Sequence, residues 1–223
     1  MEGILEMINI VYEDNHLLVV EKPINIPVQE DSSKDIDFLT ILKDFIKKRD
    51  NKSGNVFLGL IHRLDRPVGG VMVFAKTSKC ASRLSEQVRN RTFKKTYFAI
   101  VQGKVEEKGT LIDKLLKDTK NNIVRVDKNG KESILDYELI EYKDSLSLVK
   151  INLKTGRSHQ IRVQFSSRGH ALYGDQKYNS NSVVGEQIAL FANSIVLNHP
   201  ITKEELTFKL SLPDRKPWNK FKV

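Results

Sequence analysis

Two periods alternate in the apolar pattern of this chain. Ile8–Tyr12 and Leu17–Glu21 are apolar runs of strand length around Glu13-Asp14-Asn15-His16, whose turn chemistry predicts a hairpin or tight crossover. Lys22-Pro23 through Pro27 interrupts regular structure and reads as a surface loop. From Asp35 the period lengthens: Phe38, Leu39, Ile41, Leu42, Phe45 and Ile46 recur at helical spacing through Lys48. A polar loop at 50–55 leads to the apolar run Leu58–Ile61, then His62-Arg63-Leu64-Asp65. A turn with Pro67, Gly69 and Gly70 follows, then a strand, Val71–Ala75. Thr77 or Ser78 caps a second helix running to about Arg89, with Ala81, Leu84, Ser85 and Val88 inward.

Thr96–Val101 reads as a strand, with Tyr97 on the opposite face from Phe98. Residues 103–132 are charged and punctuated by glycine, and predict weak hairpin segments in an exposed lobe. Glu132–Tyr142 and Ser145–Leu153 alternate as a strand pair around Lys143-Asp144. Ser158 is the expected N-cap of a helix holding Ile161, Arg162 and Phe165, and such a start offers backbone N–H groups to anions. Residues 172–185 form a Gly-, Asn- and Ser-rich loop. Ile188–Asn198 and Glu205–Leu210 are the last strands, before Leu212-Pro213 and a basic tail with Trp218. No repeat or linker divides the pattern, so one folded unit is expected over residues 1–223.

Composition narrows the class. The 223 residues are 39% hydrophobic and 29% charged, an ordinary globular balance with a core of useful size. No apolar run is long enough to cross a bilayer, and the first residues lack the pattern of a secretory signal. The single cysteine, Cys80, excludes an internal disulfide and suits a reducing cytoplasm. The net charge of +9 is the strongest compositional hint, since a basic surface suits a polyanionic partner such as nucleic acid. Arg83, Arg89, Arg91, Lys94 and Lys95 gather around the end of the second helix, where they favour either the helix dipole or phosphate contacts. The spacing of His62, His159, His170 and His199 matches no metal-ligand pattern, and Ser158-His159 lacks the G-x-S-x-G elbow of a hydrolase.

Asp65 stands in a backbone corner between two apolar runs, where a carboxylate needs solvent, hydrogen bonds or a cation. On the tetrad alone it reads as a turn residue. Taken with Tyr97 and Arg162 it reads differently. His62-Arg63-Leu64-Asp65, Lys95-Thr96-Tyr97-Phe98-Ala99 and Thr155-Gly156-Arg157-Ser158-His159-Gln160-Ile161-Arg162-Val163 resemble, in order, the motifs of RluA-type pseudouridine synthases. Glu13-Asp14-Asn15-His16-Leu17 through Pro23 and Asn198-His199-Pro200 strengthen the resemblance, which covers about residues 8–213.

The resemblance implies an α+β fold with a bent, mainly antiparallel central sheet, flanking helices and a basic active-site cleft. It implies one catalytic domain without a separate S4-like RNA-binding domain. The implied reaction is isomerisation of uridine within RNA, ribosomal RNA being favoured over transfer RNA, with no cofactor or metal. Asp65 would be the essential carboxylate, adding to C1′ or removing the 2′-hydrogen. Arg162 would pair with it and keep it ionised, and Tyr97 would stack on the uracil and assist proton transfer at C5. Arg63, His62, Arg157, His159, Gln160 and Leu212 are the further substrate-contact candidates. His62 and His159 serve as packing or hydrogen-bonding residues within their motifs rather than as acid–base groups, and Arg63 is equally suited to a salt bridge supporting the corner. The family's usual Thr-Ser after the aspartate is here Val68-Gly69, which removes a hydroxyl pair and bears on substrate preference. A monomer is the default. The competing function is a catalytically silent RNA-binding module of the same fold.

Overall fold

Among the described residues, eleven strands and three α-helices make up most of the regular structure of this α+β chain. The computed structural model describes residues 8–31 and 33–222. These residues cluster into two compact units. The first comprises the chain up to Phe93 together with Ser194–Leu210, and the second comprises Lys94–Asn193 and the residues from Ser211 onward.

In the first unit, β1 (Asn9–Glu13) and β2 (Leu17–Lys22) form the expected antiparallel hairpin. β2 then pairs with β4 (Gly69–Ala75), and the two-residue β3 (Gly59–Leu60) pairs with the end of β4. β4 is buried at every position and β2 at all but one, which explains their unbroken apolar runs: both faces are covered. Leu17, Val19, Val71 and Val73 meet Cys80 and Leu84 of helix α2 (Ser78–Arg89), with Ile195, Leu197 and Phe208. On the alternate positions, Phe74 packs edge-on against Phe38 of helix α1 (Phe38–Arg49), with ring centroids 6.2 Å apart. Asp37 caps α1 through the Thr40 N–H, and Thr77 caps α2 through the Cys80 N–H. Cys80 is buried, and burial raises its thiol pKa, consistent with a packing role.

In the second unit, β5 (Lys94–Gln102) pairs with β9 (Leu146–Leu153), β9 with β8 (Lys131–Lys143), and β8 with β6 (Lys108–Asp118), all antiparallel. The short β7 (Ile123–Val126) adds to β6. The stretch read as weak hairpins therefore contains an eleven-residue strand in register with β8. Its polar character follows from placement: one face is solvated and only Leu111 and Leu115 are buried. The short helix α3 (Gln160–Ser166) is buried along most of its length, and its Phe165 meets the Tyr137 ring edge-on at 5.3 Å. β10 (Leu190–Asn198) contributes its first four residues to this unit and its last five to the other, where it pairs with β11 (Glu205–Lys209). No helix among the described residues is long and apolar enough to cross a membrane.

Candidate active-site residues

Asp65 sits half-buried in the corner between β3 and β4. Its carbonyl accepts the Val68 N–H at 2.9 Å, closing a four-residue turn. Val68 is buried, and a Cβ on Gly69 would come within 3.1 Å of both the Ile24 side chain and the Lys22 carbonyl. The Val68-Gly69 pair thus serves packing: one residue fills space and the other leaves it. Gly70 follows in the left-handed φ region, at 127°.

The corner is tied down by a residue that pattern reading placed at the start of a loop. Lys22 is fully buried, and its Nζ donates to the carbonyls of Pro23 at 2.8 Å, Arg66 at 3.1 Å and Val68 at 2.9 Å. An ammonium has three N–H bonds, and here each has a carbonyl. Burial pulls its pKa down to about 7, against the attraction of the Asp65 carboxylate. A signal for this existed: strand alternation puts Lys22 on the same side of β2 as the buried Leu18 and Val20.

The flanking residues divide into supports and an exposed cation. His62 accepts the Val73 N–H on Nε2 at 3.2 Å and packs its ring against Phe93, with centroids 5.4 Å apart. Arg66 forms an ion pair with Asp35 and donates from Nε to the Asn25 carbonyl at 3.2 Å. Arg63 is exposed and makes no ion pair among the described residues, so the salt-bridge role falls to its neighbour Arg66.

In the second unit the interactions centre on Arg162. It lies in the first turn of α3, is 6% exposed, and donates from Nε and Nη2 to the two oxygens of Asp175 at 2.8 and 2.7 Å. Its guanidinium carbon also lies 5.2 Å from the centroid of the Tyr178 ring. Asp175 is 1% exposed and further accepts the Lys177 and Tyr178 N–H groups. The Tyr178 hydroxyl accepts the Val124 N–H at 2.9 Å and lies 2.7 Å from Nδ1 of His159. Asp175 and Tyr178 fall in the stretch read as a polar loop. The available clue was a lone acid in that loop and an arginine inside an otherwise apolar helix.

The helix entry differs from the expectation. Ser158 is not the cap: α3 begins at Gln160, preceded by His159 in the left-handed region at φ 50° with no side-chain cap bond. Gln160 instead ties the preceding turn to the helix. Its Oε1 accepts the Thr155 hydroxyl at 2.8 Å and the Arg157 N–H at 3.1 Å, while Nε2 donates to the Ile134 carbonyl and to Gln164. At seven residues α3 is too short to act as an anion-binding dipole, so the expected anion site at its N-terminus is not supported. Arg157 is exposed and donates from Nε to the Glu132 carbonyl at 3.1 Å. Tyr97 is 6% exposed on β5 opposite Ile151, and Leu212 is half-buried. Of the expected phosphate-contacting cations, Arg83 is occupied by the Pro200 carbonyl; Arg168, further on, is held by Asp113. Among the described residues, no group of three or more His, Cys, Asp or Glu side chains is gathered closely enough to hold a metal ion.

Residues 16–167 match the family model described as RNA pseudouridylate synthase. The chain belongs to that family, the isomerases that act on RNA. The chain is 33% identical over 210 residues to a Bacillus subtilis protein named uncharacterized RNA pseudouridine synthase YhcT, covering 92% of this chain and 69% of that one. It is 33% identical over 205 residues to the ribosomal large subunit pseudouridine synthase C of Vibrio vulnificus, covering 88% of this chain and 63% of that one. It is 30% identical over 220 residues to the ribosomal large subunit pseudouridine synthase D of Zymomonas mobilis, covering 92% and 69%. The synthase thus spans about two thirds of the length of these curated relatives. In fold it is similar to the human RNA pseudouridylate synthase domain containing 4, with a TM-score of 0.79 at 24% identity over 95% of this chain and 91% of that one.

Proposed function

We propose that this synthase converts uridine to pseudouridine in ribosomal RNA, with Asp65 as the essential carboxylate and the two units serving one catalytic domain. The observation that carries the assignment of Asp65 is its setting. A carboxylate projects from a turn whose carbonyls are gripped by a buried ammonium, inside the segment that matches the family. A turn residue with only a local role has no need of such an anchor.

The reaction breaks the N1–C1′ bond, turns the uracil and joins C5 to C1′. C5 then gives up its proton and N1, freed of the sugar, takes one up, so atoms and electrons balance as an isomerisation. The carboxylate acts on the sugar as nucleophile or as base. Its backbone is fixed beforehand, so little reorganisation is needed at the moment of reaction. Tyr97 supplies an aromatic face for the uracil and a hydroxyl for proton transfer. Arg162 serves the same reaction with a guanidinium whose direction Asp175 sets on two of its nitrogens. Arg63, exposed and without an ion pair among the described residues, is suited to the RNA backbone or to the space left by a flipped base. Ribosomal RNA is favoured because relatives at 33% and 30% identity carry ribosomal large subunit names. A cytoplasmic monomer is the simplest setting for the enzyme.

Site-resolved mapping of pseudouridine in total RNA, from cells with and without the gene, tests this reading. One or more ribosomal positions should lose the modification on deletion, regain it with the wild-type gene, and stay unmodified with Asp65→Asn. An unchanged map would favour an RNA-binding module without activity.

A further inference from the structure

Several cations of the second unit have a carboxylate partner. Arg162 is held by Asp175, Arg168 by Asp113 at 2.8 Å, and Lys154 by Asp136 at 3.0 Å. Lys95 and Arg157 have no ion pair among the described residues, and they meet at one turn. Lys95 projects from β5 opposite Leu153, and its Nζ lies 3.1 Å from where a Cβ on Gly156 would stand. Arg157 is the next residue, and its Nε donates to the Glu132 carbonyl. Strand alternation puts Lys95 on the same face of β5 as Tyr97, about 7 Å along the strand.

We infer that Lys95 and Arg157 form a clamp for one RNA phosphate across the Thr155-Gly156 turn, with Gly156 kept free of a side chain so that the ammonium can stand over it. The inference rests on the RNA-isomerase reading and adds a specific phosphate contact to it. Three features support it. Lys95 is half-buried, and desolvation lowers its pKa with no counter-charge opposing the shift, so the isolated protein bears the cost of an uncompensated cation. An incoming phosphate offsets that cost. Gly156 does not lie in the left-handed φ region, so its lack of a side chain answers to space rather than to backbone strain. The spacing from Tyr97 is close to that between neighbouring nucleotides, which suits a contact to the phosphate beside a base seated at the tyrosine.

The test is binding of a labelled uridine-loop RNA hairpin as a function of salt, with thermal melting of the same variants. Lys95→Met should weaken binding several-fold and reduce the slope of log affinity against log salt by about 0.7–0.9, the share of one phosphate contact. KM should rise more than kcat falls. The protein itself should melt no lower than wild type, because an uncompensated charge has been removed. Gly156→Asp should give the same loss by supplying an internal carboxylate to Lys95, and Lys95→Arg should restore most of the slope. An unchanged slope in Lys95→Met, or a binding loss that merely follows a lower melting temperature, overturns the clamp. Absence of pseudouridine formation by the wild type would instead remove the isomerase reading, while the salt slopes would still decide whether the clamp exists.

Discussion

Among the described residues a lysine and an arginine are buried, one in each unit, and they are held in opposite ways. Lys22 has lost all solvent contact and gives its three N–H bonds to main-chain carbonyls. Arg162 is nearly as enclosed and gives two of its N–H groups to one carboxylate. Carbonyl dipoles satisfy a charge without neutralising it, so burial dominates and the lysine pKa falls to about 7. A guanidinium keeps its proton at any working pH, and its planar fork matches a carboxylate. The lysine therefore positions the chain around it, whereas the arginine is itself positioned. The first arrangement suits a turn that must present a reactive group, and the second suits a side chain that must keep one direction and one charge.

The most severe perturbation removes the group that the first arrangement presents. Asp65→Asn keeps the shape and the Lys22 contacts, so folding and RNA affinity should stay near wild type. Product formation should fall by about a thousandfold or more, the scale of losing a nucleophile or general base. Substantial turnover by the purified variant would leave the Lys22 anchor without a catalytic purpose. Next in size is Asp175→Ala, which removes a carboxylate from a buried guanidinium and takes from the Lys177 and Tyr178 N–H groups an acceptor. The expected loss is about 3–5 kcal/mol, read from urea midpoints. A loss below about 1 kcal/mol would mean that Arg162 is aimed by something other than this carboxylate.

Lys22→Met tests the other half of the comparison. It leaves the carbonyls of Pro23, Arg66 and Val68 without their donor, and about 2–4 kcal/mol should go at neutral pH, less than for Asp175→Ala because no counter-ion is stranded by hydrogen-bond geometry. The sign of its pH dependence follows from linkage. The folded pKa of about 7 lies below the ordinary 10.5, so between those values the unfolded chain holds a proton that the folded chain has shed. Wild-type stability should therefore rise relative to Lys22→Met across that window, by at most about 1.4 kcal/mol per pH unit. Below pH 7 the lysine is protonated in both states and the difference should level off. A difference that shrinks as pH rises from 7 to 9 would show that the ammonium form is the more stable one in the fold.

The strands and helices were legible because both units bury regular patterns. The double-sided burial of β2 and β4 showed as unbroken apolar runs, and the caps Asp37 and Thr77 lie within two residues of the expected helix starts. Asp65, Tyr97 and Arg162 stood out through their motifs. What hides Lys22 and Asp175 is physical. A lysine ahead of a proline and an aspartate after a glycine are most often solvated turn residues, and only the carbonyls and the guanidinium brought to them by distant segments make them interior groups. The helix entry misled for a related reason. Ser158 has the chemistry of a cap, but Gln160 reaches back to Arg157 and Thr155 and satisfies that turn from the other side. β6 looked weak because its solvated face carries the charge that a single sequence displays most visibly.

The smallest effect is expected from Tyr178→Phe, and it asks whether the arginine side of the comparison is one network or two. The variant keeps the ring against Arg162 and the main-chain N–H that reaches Asp175 at 3.3 Å. It removes only the hydroxyl between the Val124 N–H and His159 Nδ1. The stability loss should be about 1 kcal/mol, the net value of a buried hydrogen bond with some relaxation. Combined with Asp175→Ala, the losses should sum to more than the double variant shows, by about 0.5 kcal/mol or more, because the carboxylate holds the guanidinium that packs on the ring bearing the hydroxyl. Losses that add within about 0.3 kcal/mol would mean that His159 and Arg162 are positioned independently. The carboxylate would then hold the arginine without help from the hydroxyl, as the carbonyls hold the lysine.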